Sequence, residues 1–254
     1  MNILITNDDG IDFKGLRTLV EEFSGIGDVY VVAPQGECSS NSHHLTIKGK
    51  IRYEEREVKG AKKAYALWGT PADCTHMALY YFFRDQIDLV VSGINKGPNI
   101  STDIIYSGTI SAAREAFIHH VPAMALSLNS FTAEDYHVAA KRGKDIALKY
   151  LEAKDNTKYF LNVNIPALQE DEIKGIRVCD RIGEIVYNDS YSHVRQEEKD
   201  FIEIIGSDIF YKGDEEDERI DAIALKKGYV AISPLGNGHI DETFIDDVKA
   251  VFKV

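Results

Sequence analysis

The chain has 254 residues, of which 44% are hydrophobic and 28% are charged, with 29 Lys and Arg against 41 Asp and Glu. This composition is typical of a folded globular protein and excludes disordered, collagen-like and low-complexity chains. The net charge of −12 argues against a nucleic-acid partner, because binding to a duplex requires clustered basic residues.

The first 169 residues alternate between strand and helix patterns. In chain order we predict a strand at 2–6, a helix at 15–23, a strand at 29–33, a hairpin of strands at 47–53 and 64–67, a helix beginning at Thr70, a strand at 87–92, a helix at 108–119, a strand at 123–128, a helix at 132–152 and a strand at 162–165. Strands separated by helices of this length indicate right-handed βαβ units and a mostly parallel sheet covered on both faces.

Two helix starts carry capping residues. Thr70-Pro71-Ala72-Asp73 places Thr at the N-cap, Pro at the first helical position and Asp at the third. Thr132-x-x-Asp135 has a similar pattern before the 132–152 helix. Trp68, just before the first of these caps, is predicted to be a core residue.

The pattern changes near residue 170 to short strands at 176–178, 185–187, 202–205 and 229–233, with an acidic run at 214–218 that is typical of a solvated loop. Without an internal repeat or a linker, we predict one domain over 1–254, with an α/β core at 1–169 and a β-rich C-terminal extension at 170–254. Short strands need a sheet or a partner to cover their edges, so we expect at least a dimer.

Oxygen ligands follow three predicted strands. The first strand ends in Asn7-Asp8-Asp9-Gly10, the second is followed by Ser39-Ser40-Asn41-Ser42, and a later one leads into Ser92-Gly93-Ile94-Asn95-Lys96-Gly97-Pro98-Asn99. Parallel strands place these ends at one edge of the sheet, where open α/β sheets bind ligands. Two carboxylates with a hydroxyl and a carboxamide suit a hard cation such as Mg²⁺, Mn²⁺ or Ca²⁺.

Each of these segments also has a simpler interpretation. Asp-Asp-Gly is an ordinary turn sequence, and the Asn95 segment could be only a loop. Ser107-Gly108-Thr109 opens a predicted helix and could bind an anion through its backbone N–H groups, or Ser107 could merely cap that helix. Lys96 could add a positive charge for a phosphate. The pairs His43-His44 and His119-His120 are expected to be surface or interface residues, because adjacent side chains diverge and no second cluster completes a zinc site.

Six segments, in order along nearly the whole chain, resemble the survival protein E (SurE) family. They are Ile3–Ile11, Gly69–Cys74, Ser92–Asn99, Tyr106–Thr109, Leu161–Pro166 and Gly228–Leu235. The resemblance implies a three-layer α/β/α fold with a Rossmann-like core, whose C-terminal arm exchanges with a second subunit. It also implies a metal-dependent phosphatase of nucleoside 5′- and 3′-monophosphates, with activity on short polyphosphate in some members.

The resemblance also implies roles for individual residues. It assigns Asp8, Asp9, Ser39 and Asn95 to one Mg²⁺ or Mn²⁺ per subunit, and it selects Ser39 among the four polar residues at 39–42. Asp8, Asp9 and Asn95 would be catalytic, and the phosphate would lie near Asn99, Ser107, Gly108 and Thr109. Lys96 joins this phosphate-binding set from the residues alone and not from the resemblance.

The sequence therefore predicts a phosphomonoesterase that forms a homodimer or homotetramer and acts on small nucleotides. Two other functions remain open: a nonenzymatic nucleotide-sensing module, and an aspartyl-phosphate phosphatase of the haloacid dehalogenase type. The latter is disfavoured because its chemistry requires Asp-x-Asp, whereas here the two acids are adjacent.

The expected location is the cytoplasm. Cys38, Cys74 and Cys179 are odd in number and lack CxxC spacing, which argues against a disulfide framework. No run of about 18 apolar residues occurs, and residues 1–6 lack a basic leader, so neither a membrane span nor a signal peptide is expected.

Overall fold

The structure is a computed structural model that describes residues 1–212 and 214–237. Its strands are β1 (Asn2–Thr6), β2 (Asp28–Pro34), β3 (Tyr53–Arg56), β4 (Ala61–Leu67), β5 (Leu89–Lys96), β6 (Ala123–Asn129), β7 (Phe160–Pro166), β8 (Ile176–Val178), β9 (Glu184–Gln196), β10 (Lys199–Lys212) and β11 (Val230–Leu235). Its α-helices are α1 (Lys14–Phe23), α2 (Pro71–Met77), α3 (Gly108–Ile118), α4 (His137–Leu151) and α5 (Asp221–Lys226). A π-helical turn, Ala78–Phe82, extends α2, and a 3-10 turn, Ser101–Ile105, precedes α3.

Nine strands form the central sheet in the order β3-β4-β2-β1-β5-β6-β7-β11-β8. The six strands from β4 to β7 pair in parallel, whereas β3 and β11 run antiparallel to β4 and β7. Thr6 of β1 is the register partner of Ser92 of β5. The chain that leaves β1 therefore emerges beside the last residues of β5.

Helices cover both faces of this sheet. On one face the buried side chains of α1 and α4, such as Leu19 and Ala147, pack on Ile5 and Val91 in the larger apolar core. On the other face α2 and α3 contribute Cys74 and Ile110 to a second core. The alternation of strand side chains between two cores makes the molecule a three-layer α/β/α protein, and the predicted fold class is confirmed.

Three predicted elements differ in their bounds. The first strand of the hairpin is Tyr53–Arg56, which lies mostly between the two predicted strands at 47–53 and 64–67. Residues 47–52 are not in a strand. The long helix begins at His137, and the predicted cap at Thr132 is not used. Strand β5 continues to Lys96, so that Asn95 and Lys96 lie within the strand. The extra length of β5 comes from pairing with β6, which local sequence propensity does not predict.

The capping prediction at α2 is confirmed. The Thr70 side chain accepts a hydrogen bond from the Asp73 backbone N–H at 3.1 Å, and the Asp73 carboxylate accepts one from the Thr70 N–H. The prediction for Trp68 is wrong, because the residue is 41% exposed. Its ring lies against the Arg52 guanidinium, whose Cζ is 4.0 Å from the ring centroid. A cation–π contact replaces burial there.

The predicted extension that begins at residue 170 is divided between the central sheet and a separate two-stranded sheet. Strands β8 and β11 join the central sheet, and β11 pairs with β7. Strands β9 and β10 form a second, two-stranded antiparallel sheet, much longer than the short strands expected there. The division of the domain at residue 170 remains a prediction, and residues 213 and 238–254 of the predicted extension lie outside the described residues.

The three cysteines are free thiols, with Cys74 and Cys179 buried and Cys38 partly exposed. Across residues 1–212 and 214–237, the helices are all too short or too polar to cross a bilayer.

Candidate functional site

A cleft of about 740 Å³ lies where β1 and β5 end. Seven of the predicted site residues line it, namely Asp8, Asp9, Ser39, Asn95, Lys96, Asn99 and Ser107. The other two, Gly108 and Thr109, are buried behind Asp8 at the start of α3. The cleft thus brings together side chains from four separate segments of the chain, at the sheet edge that the sequence predicts.

Asp8 is held by the first turn of α3. Asp8 is 5% exposed. Its carboxylate accepts hydrogen bonds from the Thr109 backbone N–H at 3.1 Å and from the Thr109 hydroxyl at 2.5 Å. Gly108 permits this approach, because a Cβ atom there would lie 2.9 Å from the Cβ of Asp8. Gly108 and Thr109 therefore position a carboxylate, and their place near the phosphate stays a prediction.

Asp9 is the second carboxylate of the pair, and its Oδ2 accepts a hydrogen bond from the Lys96 backbone N–H at 3.3 Å. Burial raises its pKa to about 7, with the neighbouring Asp8 charge contributing in the same direction. Burial also raises the pKa of Asp8, against the opposing hydrogen bonds from Thr109. Two acids with raised pKa values form a site that a bound cation would stabilise.

The turn after β1 is built by Asn7 and Gly10. The Asn7 side chain donates to the Gly10 carbonyl at 2.9 Å and accepts from the Gly10 N–H at 3.2 Å. Gly10 has φ of +101°, and a Cβ atom there would lie 3.1 Å from the Gly36 backbone. The sequence Asn-Asp-Asp-Gly is therefore a turn and also part of the cleft, so its two interpretations are compatible.

Ser39 lies on the long connection between β2 and β3, here called the 35–52 loop. Its hydroxyl donates to the Glu37 carboxylate at 2.8 Å. The neighbouring Cys38 N–H donates to the Asp8 carbonyl at 2.7 Å, which fixes this end of the loop to the chain that carries the paired acids. Ser39 therefore lines the same cleft as the paired acids.

The far end of the 35–52 loop is fixed to α2 and to the segment before α3. The Thr46 backbone N–H and hydroxyl donate to the Asp73 carboxylate at 2.7 and 2.8 Å. The Ser42 N–H donates to the Tyr106 carbonyl at 2.9 Å. Because Asp73 also caps α2, a single buried carboxylate joins a helix start to this loop.

Asn99 is held by a group of buried polar side chains that the sequence analysis did not identify. Its side-chain Nδ2 donates to the Ser127 hydroxyl at 2.8 Å, and its backbone N–H donates to the Asn164 Oδ1 at 2.8 Å. The Asn162 and Asn164 amides donate to its carbonyl at 2.8 and 3.0 Å. Asn162 and Asn164 are alternate residues of β7 and share one face, which is the pattern that could have revealed them.

Acidic groups dominate the cleft. Of the described residues that line it, Lys96 is the only lysine or arginine, whereas five are acids: Asp8, Asp9, Glu37, Asp103 and Asp189. A phosphate dianion would be repelled by this lining unless a cation accompanied it. Carboxylate, hydroxyl and carboxamide oxygens are ligands that Mg²⁺ and Mn²⁺ prefer, so the donor set fits such an ion.

A second cluster of titratable side chains corrects the expectation for the histidines. His43, His76 and His119 converge on the buried Glu115, with ring nitrogens 2.8, 2.8 and 2.9 Å from its carboxylate oxygens. His43 comes from the 35–52 loop, His76 from α2 and His119 from the end of α3. Both His43 and His119 are partly exposed, but the expectation that no cluster forms there is wrong, because packing of α2 on α3 brings distant residues together.

The carboxylate pKa in this cluster is shifted in the direction opposite to those of Asp8 and Asp9. Burial acts to raise the pKa of Glu115, but the hydrogen bonds from His43, His76 and His119 outweigh it and lower the pKa to about 2. Glu115 therefore remains ionised. His76, Glu115 and His119 are also spaced so that they could hold a metal ion.

Comparison with known proteins shows similarity along the whole chain. The Survival protein SurE family matches residues 3–188. A 5′-nucleotidase SurE of Clostridium beijerinckii is 41% identical over 262 residues that cover 100% of both chains. A 5′-nucleotidase SurE of Clostridium botulinum (strain Alaska E43 / Type E3) is 40% identical, covering 100% of this chain and 99% of the relative. The crystal structure of the SurE protein from Aquifex aeolicus superposes with a TM-score of 0.82 at 32% identity, over 99% of this chain and 100% of the other.

Proposed function

The chain belongs to the Survival protein SurE family, and on that premise we propose that it is a metal-dependent nucleotidase. It hydrolyses nucleoside 5′- and 3′-monophosphates to nucleoside and phosphate, with short polyphosphate as a further substrate. The observation that carries the proposal is the pair Asp8 and Asp9 in a cleft whose size suits a small molecule. The names of the relatives support the 5′-nucleotidase activity, while the 3′ and polyphosphate activities rest on the family resemblance.

Asp8, Asp9, Ser39 and Asn95 would hold one Mg²⁺ or Mn²⁺ per subunit. When bound, such an ion polarises a phosphate oxygen and makes a coordinated water more acidic. Thr109 keeps the Asp8 carboxylate in one orientation by two hydrogen bonds. The Lys96 N–H does the same for Asp9, although through a longer contact.

The remaining residues of the cleft act on the substrate. Asp9 is less buried than Asp8, so we assign it the proton of the attacking water. Asn99, Ser107 and the Lys96 ammonium group lie where they can orient the phosphate and stabilise the charge of the transferring phosphoryl group. The asparagines of β7 keep Asn99 in place.

The surroundings of Asp8 favour a water nucleophile over an aspartyl-phosphate. A nucleophilic carboxylate must present a free oxygen to the phosphorus atom, whereas Asp8 is 5% exposed and both of its oxygens accept hydrogen bonds from Thr109. This geometry supports a role in orienting the cation.

Association into a homodimer or homotetramer is supported by the β9–β10 hairpin. Ile202, Ile204 and Ile205 are 76, 70 and 64% exposed, which is unusual for a run of isoleucines on one strand. Ile204 also lines the cleft. Light scattering at micromolar concentration should give at least twice the monomer mass, and a monomer would count against the assembly but not against the enzyme. We also assign the protein to the cytoplasm, which the three free thiols support.

The activity is tested by phosphate release from AMP, 3′-AMP and short polyphosphate. We expect release from AMP that disappears in excess chelator and returns with Mg²⁺ or Mn²⁺. Asp9→Asn should abolish it, while Asp12→Asn should not, because the Asp12 side chain lies three residues away, exposed and paired with Arg17. A folded protein that binds AMP without releasing phosphate under any metal would instead be a nucleotide sensor.

A further inference from the structure

The histidine cluster is separate from the cleft, and three of its atoms have the arrangement of metal ligands. His76 Nδ1 and His119 Nε2 lie 2.8 and 2.9 Å from the same Glu115 oxygen, and the three ligand atoms are within 4.8 Å of one another. The ligands of a tetrahedral zinc ion are about 3.3 Å apart, given metal–ligand distances near 2.0–2.1 Å. The two imidazole–carboxylate distances therefore need to lengthen by only about 0.5 Å to admit an ion, while the two imidazole nitrogens, which lie within 4.8 Å of each other, need a separation of about 3.3 Å.

The helices fix these three positions. Glu115 and His119 are four residues apart on α3 and so project from the same side of that helix. His76 lies in the last turn of α2, which packs beside α3. Glu115 is 4% exposed, whereas the side chains of His76 and His119 are 36% and 22% exposed, so an ion could reach the cluster from solvent.

A second set of contacts orients the ligands from behind. The Tyr80 hydroxyl lies 2.7 Å from His119 Nδ1, the nitrogen that points away from Glu115. The Tyr80 ring also stacks on His76 with centroids 4.7 Å apart. The other Glu115 oxygen is bonded by His43 at 2.8 Å. Metal-binding histidines usually hydrogen-bond through their second nitrogen, and bound carboxylates are usually supported in the same way.

We propose that His76, Glu115 and His119 bind one divalent ion of the zinc class, at a site distinct from the oxygen-lined cleft, and that this ion joins α2 to α3. Two imidazole nitrogens and one carboxylate oxygen suit Zn²⁺ and are poor ligands for Mg²⁺. The ion takes the place of the proton on His76 Nδ1 and on His119 Nε2. A ring protonated on both nitrogens releases one proton to solvent and a neutral ring carries its proton on the other nitrogen, so both rings bind in their neutral form. An open fourth position is left to water.

The test uses the full chain carrying Asp9→Asn, so that the cleft contributes as little metal binding as possible. After removal of metal with chelator, the protein is titrated with Zn²⁺ against a chromophoric competitor, and the melting temperature is recorded with and without Zn²⁺. We expect one equivalent bound with a Kd below about 10 μM, and a higher Tm in the presence of the ion, since a ligand that binds only the folded state stabilises it.

Added singly to this background, His76→Ala and His119→Ala should each weaken Zn²⁺ binding at least about 100-fold and remove the Tm shift. His137→Ala is the matched control, because His137 is an exposed histidine paired with Asp135 at the start of α4. Circular dichroism establishes that each variant is folded. Unchanged Zn²⁺ binding in both His76→Ala and His119→Ala, or no binding below 10 μM in the parent, would overturn the proposal. Neither outcome bears on phosphate release, which is measured separately.

Discussion

The cleft and the histidine cluster shift the pKa of a buried carboxylate in opposite directions. In the cleft, Asp8 and Asp9 are adjacent, and Lys96 is the one lysine or arginine among the described residues that line it. Burial raises the pKa of Asp9 to about 7. In the cluster, three imidazoles surround Glu115 and lower its pKa to about 2. In the first arrangement burial and the neighbouring acid raise the pKa, whereas in the second the hydrogen bonds from three imidazoles outweigh burial and lower it.

This difference explains why the two regions suit different ions. The cleft offers oxygen atoms and an excess of negative charge, which attracts a hard ion that arrives with a phosphate. The cluster offers nitrogen atoms around a single acid, which favours an ion that competes with protons for imidazole. Ligand type and the number of acids thus distinguish the proposed catalytic site from the proposed zinc site.

The largest expected difference concerns activity. Asp9→Asn should lower kcat/KM for a nucleoside 5′-monophosphate at least about 1000-fold, because it removes a predicted metal ligand and proton acceptor. Glu115→Gln makes the same chemical change in the cluster and should retain activity within about threefold, since it lies outside the cleft. Steady-state kinetics at saturating Mn²⁺ measures both. Equal losses would mean that the two regions are not functionally distinct.

The second prediction is that Glu115 makes the stability of the folded protein depend on pH in the acidic range. Its pKa in the folded protein, about 2, is lower than the ordinary value of 4.5. A lowered pKa stabilises the folded state above pH 4.5, and this contribution is lost as the pH falls towards 2; its full size is about 3 kcal/mol.

The measurement is the difference in unfolding free energy between wild type and Glu115→Gln, from urea denaturation at several pH values. The difference should be constant from pH 6 to 5 and shrink below that range. A difference that grew on acidification would contradict the assignment of His43, His76 and His119 as the groups that hold Glu115 ionised.

Thr109→Val tests the support of Asp8. The substitution removes the hydroxyl that donates to the Asp8 carboxylate but leaves the backbone donor. A hydrogen bond to a charged group contributes about 1.5–3 kcal/mol, which corresponds to a loss of roughly 10- to 100-fold in kcat/KM if the orientation of Asp8 limits the reaction.

Thr75→Val is the matched control for this change. Thr75 is buried in α2, and its hydroxyl lacks a hydrogen-bond partner within the described part of the chain. Its loss should leave activity unchanged and should not reduce stability. Similar kinetic losses in both variants would indicate a general packing effect in place of a specific contact to Asp8.

The smallest effect concerns substrate charge. With an acidic lining and a net charge of −12, each additional phosphate meets repulsion, which for two unit charges about 4 Å apart in water is about 1 kcal/mol, or fivefold. Values of kcat/KM for AMP, ADP and ATP at fixed free metal should therefore decrease in that order. A preference for the triphosphate would show that positive groups outside the cleft contact the substrate.

The sequence predicts the cleft well and the cluster hardly at all, for a physical reason. Asp8, Asp9 and Asn95 lie at or near the ends of parallel strands, and strands are recognisable from their apolar runs, so topology alone places these residues at one edge. The residues around Glu115 come from a loop and two helices, and only the Glu115–His119 pair has a spacing that local geometry would bring together. The approach of His76 and His43 depends on tertiary packing.

Within the cleft, the hydrogen-bond partners depend on distant segments in the same way. The place of Thr109 near the phosphate stays a prediction, and the donors of Thr109 that contact Asp8 could not be inferred from its position at a helix start. Likewise the support of Asn99 by Asn162 and Asn164 spans more than 60 residues of chain. Local patterns identify which groups are present in a site, but the hydrogen-bond partner of each group depends on contacts between distant segments.

The anchoring of the 35–52 loop has a consequence for its local unfolding. Ser39 lies in a long segment without regular structure, yet amides along it donate to fixed acceptors: Cys38 to Asp8, Ser42 to Tyr106 and Thr46 to Asp73. An opening that frees one end weakens the others, because they share the same short chain. The amide hydrogens of Cys38, Ser42 and Thr46 should therefore exchange with solvent as one cooperative unit, with a common opening free energy that metal binding at Ser39 would increase.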